Sequence, residues 1–269
     1  MFKQPAAILH ILKNFEIKIQ GEKPFMKTLI VASICAVMII IRPAYVSSEN
    51  NNTVPPEESA RILRLIFSRS VDIYKKYSGV ESIRKEIHQE FDPDNNALRS
   101  TSELTTHRID YFYEKPDIRA LSLKKDGKET DPSKHRIWKM MPIYPVFDEK
   151  SSESYELKIT DKKNIKGREC YRIQVLPKKE TSRHFRGSIY CTVGTLETVQ
   201  IEGTLAKLDF PLKEFRMEFS TILVKEVPVL HKGAVKVRVK VPIFFPDTLI
   251  VTQITVLESK LIEYNEKAR

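Results

Sequence analysis

Cys170 and Cys191 are the first residues in this chain that invite chemistry. They are the two cysteines beyond Cys35 in a sequence that holds 3. Two thiols in one domain suggest a disulfide where the chain is exported. They fall on consecutive expected strands, and pairing Cys170 with Cys191 leaves a short connection near Pro177 to His184. Yet Cys191 alternates with Ile189 and Val193, while Cys170 alternates with Arg172 and Gln174. Directly paired residues share a face, so a bridge needs a bulge. A bridge and two free, semi-buried thiols both stay open.

Asp92, Asp94, Asn96, Ser100 and Glu103 match positions 1, 3, 5, 9 and 12 of a calcium-loop template. Ala97 stands where the sharp turn of that loop wants glycine, so a plain turn between strands is the better reading. Five histidines follow residue 48: His88, His107, His135, His184 and His231. None pairs with another at ligand spacing, and they read as scattered surface side chains. There is no HExxH, GxSxG, GxGxxG or P-loop. The expectation is a protein that is not an enzyme, with no catalytic residue, no metal and no cofactor. Asn51-Asn52-Thr53 is a glycosylation acceptor pattern only in a host that uses such sites.

The elements that must position these residues begin with a targeting segment. Thr28 to Ile41 is a charge-free run between Lys27 and Arg42. It falls short of the roughly 20 apolar residues of a spanning helix and suits a secretory h-region. Residues 26–48 therefore read as a signal peptide cleaved before Glu49; an uncleaved short anchor is the alternative. Residues 1–25 read as an over-long start or a long n-region. The first 48 residues hold six Lys or Arg and two Glu, so the +10 chain becomes a mildly basic domain without them. No dense Lys/Arg block carries interleaved aromatics, so no nucleic-acid partner is expected.

Residues 49–56 form a linker, and 57–269 form a single domain. Glu57 to Tyr77 has helical periodicity, with Ile62, Ile66, Ile73 and Tyr77 on one stripe. Ser78-Gly79 is its expected stop. Beyond it the period is two. Ile83, Ile87 and Phe91 share one strand face, and Thr101 to Tyr113 and Ile118 to Leu123 follow, the last leading into a turn at 125–128. Further strands are expected at 155–160, 168–176, 186–193, 196–205, 212–225, 233–241 and 248–258. Phe215, Met217, Phe219 and Leu223 form one apolar face, and Val235, Val237, Val239 and Val241 another. Lys236, Arg238 and Lys240 oppose the valines. They form a basic strip that is either a solvated face or a contact for anionic headgroups. The fold class is mainly β with α (α+β): an antiparallel sheet covered by one amphipathic helix.

The segments GRECYRIQVLPKK, GSIYCTVGTLETVQIEG and FPLKEFRMEFSTILVKEVPVL, in this order after a helix, resemble the LolA-like group of exported proteins, related to outer-membrane lipoprotein-sorting factors. The resemblance covers about residues 57–262. It implies a curved antiparallel sheet, an unclosed β-barrel, around helices in the periplasm or cell envelope. It implies a carrier binding a lipid or the acyl chains of lipoproteins on its apolar inner face. Phe215, Met217, Phe219, Leu223, Val235, Val237, Val239 and Val241 are then the lining candidates. The alternative is a structural or partner-binding envelope domain with a filled core and no ligand.

Overall fold

Pro55 and Pro56 open helix α1 (Pro56–Lys76), where a missing N–H costs no helical hydrogen bond. The computed structural model describes residues 54–134, 143, 146–148, 151–240 and 247–264. The expected signal peptide, His135 and Val241 lie outside the described residues. Glu57 and Glu58 sit in the first turn of α1 and Lys75 and Lys76 in the last, each sign matched to the helix dipole. Ile62 and Ile66 are its buried residues, and each such burial is worth about 1.5–3 kcal/mol. Among the described residues no helix is long and apolar enough to cross a membrane.

The helix ends differently from the expectation. Tyr77 is the first residue of a strand, although its N–H still reaches the Ile73 carbonyl. Ser78-Gly79 continues that strand because pairing on both sides overrides the local stop signal. Gly79 is needed there, since a Cβ would lie 2.5 Å from the Asp110 carbonyl oxygen. Ile73 packs beside a small cluster of Tyr77, Val227 and Val229, away from the main core.

The strands are β1 (Tyr77–Phe91), β2 (Leu98–Tyr111), β3 (Asp117–Lys125), β4 (Lys128–Thr130), β5 (Tyr155–Ile165), β6 (Arg168–Pro177), β7 (Phe185–Thr192), β8 (Thr198–Leu205), β9 (Leu212–Val224), β10 (Val227–Val239) and β11 (Thr248–Glu263). They form one 11-stranded sheet in the order β4-β3-β2-β1-β11-β10-β9-β8-β7-β6-β5. Pairing is antiparallel throughout, and among the described residues β4 and β5 have no outer neighbour, so the sheet is not closed. Two hairpin series, β1–β4 and β5–β11, are joined by the pairing of β1 with β11.

The main core lies on one face of the β5–β9 half. There Ile62 and Ile66 meet Ile173, Val175, Ile189, Phe215 and Met217. Phe185 lies over two paired glycines, Gly187 and Gly203. A Cβ on Gly187 would come 2.6 Å from the Phe185 ring and 2.1 Å from the Glu202 carbonyl oxygen. Glycine there lets the ring rest directly on the backbone.

The disulfide does not form. Tyr171 pairs with Cys191 and Cys170 with Thr192, so the cysteines are offset by one residue and point to opposite faces. Both are free and buried, Cys191 in the main core and Cys170 in a cluster with Ile165, Tyr190 and Val199. Burial pushes the Cys191 thiol up to about 12 and raises Cys170 as well. Native protein should therefore leave both thiols unlabelled by an aromatic disulfide reagent at pH 8, and denatured protein should release two equivalents from this domain. A native domain with no titratable thiol after denaturation would mean a bridge.

Candidate functional site

The register carries the core face from β9 across β10, β11 and β1 to β2. Met217 pairs with Val235, Val235 with Thr252, Thr252 with His88 and His88 with Ser102. Directly paired side chains share a face. The face that α1 covers on β9 therefore continues on β11 as Ile250, Thr252, Ile254 and Val256. On β1 it shows Ser82, Arg84, Glu86 and His88, and on β2 Leu104, Thr106, Arg108 and Asp110.

Two regions make up this continuation. The first is apolar. Phe215 and Met217 are 7% exposed and belong to the sealed core. Phe219, Val235 and Val237 pack against that core but are only partly buried, as are Val239, Ile250 and Ile254. Leu223 is a correction: it lies near the β9–β10 turn and is 39% exposed. Alternation carries it onto the face of Phe219, but that face is not covered as far as the turn.

The second region is polar, and sequence reasoning missed it. Arg84, with a side chain 10% exposed, donates through Nη2 to Asp110 Oδ2 and through Nε to Ser82 Oγ at 2.9 Å. Arg108 donates from Nε to Asp110 Oδ1 at 2.7 Å. One carboxylate thus bridges two guanidiniums. Burial pulls the Arg84 pKa below its usual value, although Asp110 opposes the shift. Glu86 lies 3.4 Å from His88 Nε2, and His88 Nδ1 lies 2.9 Å from Thr252 Oγ1. Burial raises the Glu86 pKa, but the His88 hydrogen bond and the charges of His88, Arg108 and Arg84 outweigh it and hold the carboxyl below its ordinary range. Thr106 pairs with Arg84, is 1% exposed, and its hydroxyl has no hydrogen-bond partner among the described residues.

Ile83, Ile87 and Phe91 therefore face away from the helix side, the reverse of a face chosen by apolarity. The available signal was that β1 has no clean apolar face: Lys85 and Gln89 interrupt one side and Arg84, Glu86 and His88 the other.

The other candidates separate. The Asp92 carboxylate accepts from the Asp94 N–H at 3.0 Å and from Arg99 at 2.6 Å, and Glu103 pairs with Lys85 at 2.7 Å. This is a turn stapled by its own side chains. Among the described residues no group of three or more His, Cys, Asp or Glu is arranged to hold a metal. His107 lies 2.8 Å from Glu81 beside a hollow of about 160 Å³ on the face opposite the helix. His184 is not a surface residue: it is 4% exposed, 2.6 Å from Thr181 Oγ1 and edge-on to Tyr155. The basic strip is compensated, with Lys236 3.2 Å from Glu214, and Arg238 and Lys240 at 2.7 and 3.8 Å from Asp247. That weakens the expected attraction to headgroups.

No family model matches this chain, and no curated protein matches it. Solved structures do show a likeness. A LolA superfamily protein from Nitrosomonas europaea is 7% identical, with a TM-score of 0.40 over 76% of this chain and 96% of that one. A domain described as an outer membrane lipoprotein-sorting protein from Vibrio parahaemolyticus is 8% identical, with a TM-score of 0.41 over 76% and 92%. A DUF1329 family protein from Desulfovibrio piger is 10% identical, with a TM-score of 0.35 over 74% and 93%. The group that the strand segments resemble is thus among the structures found.

Proposed function

We propose that this protein is an exported, non-enzymatic binding domain of the cell envelope that holds the hydrocarbon chain of a lipid or a lipoprotein. The observation that supports this is the half-buried apolar strip of Phe219, Val235, Val237, Ile250 and Ile254 beside the sealed core. Apolar side chains at the middle of a sheet gain most when something covers them, and each CH₂ of an acyl chain laid there contributes about 0.8 kcal/mol. No charged catalytic group is required for such binding. A role in outer-membrane lipoprotein sorting would be one use of it.

Val237 is the residue for the test. It pairs with Phe215 on one side and Ile250 on the other. With a chain lying over it, Val237→Trp should lower the affinity for a fluorescent acyl probe at least tenfold and leave thermal unfolding nearly unchanged. In a filled core the same change overpacks and costs about 1–3 kcal/mol. A parent that binds no probe, together with a destabilised variant, would favour a structural or partner-binding domain without ligand.

A further inference from the structure

We propose that Arg84, Arg108 and Thr106 bind the anionic head of an amphiphile whose hydrocarbon tail lies on the apolar strip. This inference rests on the binding reading above and adds the chemistry of the ligand's other end.

Register brings these side chains together. Arg84 pairs with Thr106 and Ser82 with Arg108, so all four side chains leave the same face. Arg84 spends Nε on Ser82 and Nη2 on Asp110, while Arg108 spends Nε on Asp110. Arg84 Nη1 and both terminal nitrogens of Arg108 have no partner among the described residues. A guanidinium only donates, and Arg108 remains 24% exposed. The Thr106 hydroxyl, buried beside Arg84, also has no acceptor. Among the described residues the region thus holds a surplus of donors.

An acceptor-only group with several oxygens is what satisfies these donors together, and carboxylate or phosphate has that character. Asp110 and Glu86 balance the two arginines in charge, so the attraction lies in directed N–H and O–H donors and not in net charge. Placement supplies the rest. Arg84 pairs with Val256 on β11, and β11 pairs with β10, which carries Val235 and Val237. Strands lie about 4.8 Å apart. Val256 lies four residues along β11 from Thr252, the partner of Val235, so the tail of a head over β1 and β2 runs about 13 Å along β11, past Ile254, before it crosses to β10 on the strip.

The test uses the folded domain with three probes: a sixteen-carbon fluorescent fatty acid, the fatty alcohol of the same chain, and inorganic phosphate. The parent should bind the acid about tenfold or more tightly than the alcohol, the scale of one charge-assisted hydrogen bond. Arg108→Gln should erase that preference and leave alcohol binding unchanged. Thr106→Val, which keeps the shape and removes the hydroxyl, should weaken the acid alone and serves if Arg108→Gln fails to fold. Equal binding of acid and alcohol in the parent overturns the head site but spares the strip. No binding of either overturns the reading beneath it. Phosphate binding as tightly as the acid means a free-anion site, and overturns the amphiphile.

Discussion

Ile66→Asp should remove much of the stability of this domain. Ile66 is 4% exposed and touches the core that α1 shares with the sheet. The change forfeits about 1.5–3 kcal/mol of apolar burial. It also places a carboxyl where its charge has no partner, and such a group either stays protonated or opens the site. Together these cost about 5 kcal/mol at pH 7, against a total of about 5–15 kcal/mol for a typical domain. At about 2–4 °C per kcal/mol the melting temperature should fall by about 10–20 °C. The folded pKa of the introduced carboxyl is raised. Its penalty is therefore absent below the unfolded value near 4 and grows as pH rises above it. Ile66→Val, at about 1 kcal/mol, is the control. An unchanged melting temperature for Ile66→Asp would show that the helix is not docked through this stripe.

Asp110→Ala should cost about 3 kcal/mol. Asp110 is the carboxylate between Arg84 and Arg108. Removing it leaves the Arg84 guanidinium, 10% exposed, held by Ser82 alone among the described residues. An uncompensated buried charge is what makes breaking such pairs expensive, whereas replacing both partners with apolar groups is often neutral. The double variant Arg84→Met, Asp110→Leu should therefore recover most of the loss, since Arg108 can reach water. Urea unfolding of the parent, Arg84→Met, Asp110→Leu and the double variant gives the coupling directly. Single and double changes that simply add, or an Asp110→Ala loss under about 1 kcal/mol, would mean that the cluster is solvated and not a built feature.

The strands and turns of this domain were legible because their signals are local. Alternation located β5 to β11 to within a few residues over most of their ends, apart from an early start to β10 and late ends to β5 and β11. The Asp126-Gly127 turn marked β3 and β4. Glu57 to Lys76 declared its helix by a stripe that needs only its own residues, and the stripe met the core at Ile62 and Ile66. The candidate site was half legible: Val235 and Val237 of β10 do share a face with Phe215, Met217 and Phe219 of β9. What alternation could not decide was which face of β1 turns toward the helix. Both of its faces are mixed, so burial gave neither an advantage within the strand. That choice was made by the pairing of β1 with β11, whose partners Arg84 and Val256 lie far apart in sequence. A one-residue offset in such pairing exchanges the two faces of a strand. The same physics separated Cys170 from Cys191 and gathered Arg84, Arg108, Asp110 and Thr106. Period two says that a strand has two sides, and only long-range register says where each side points.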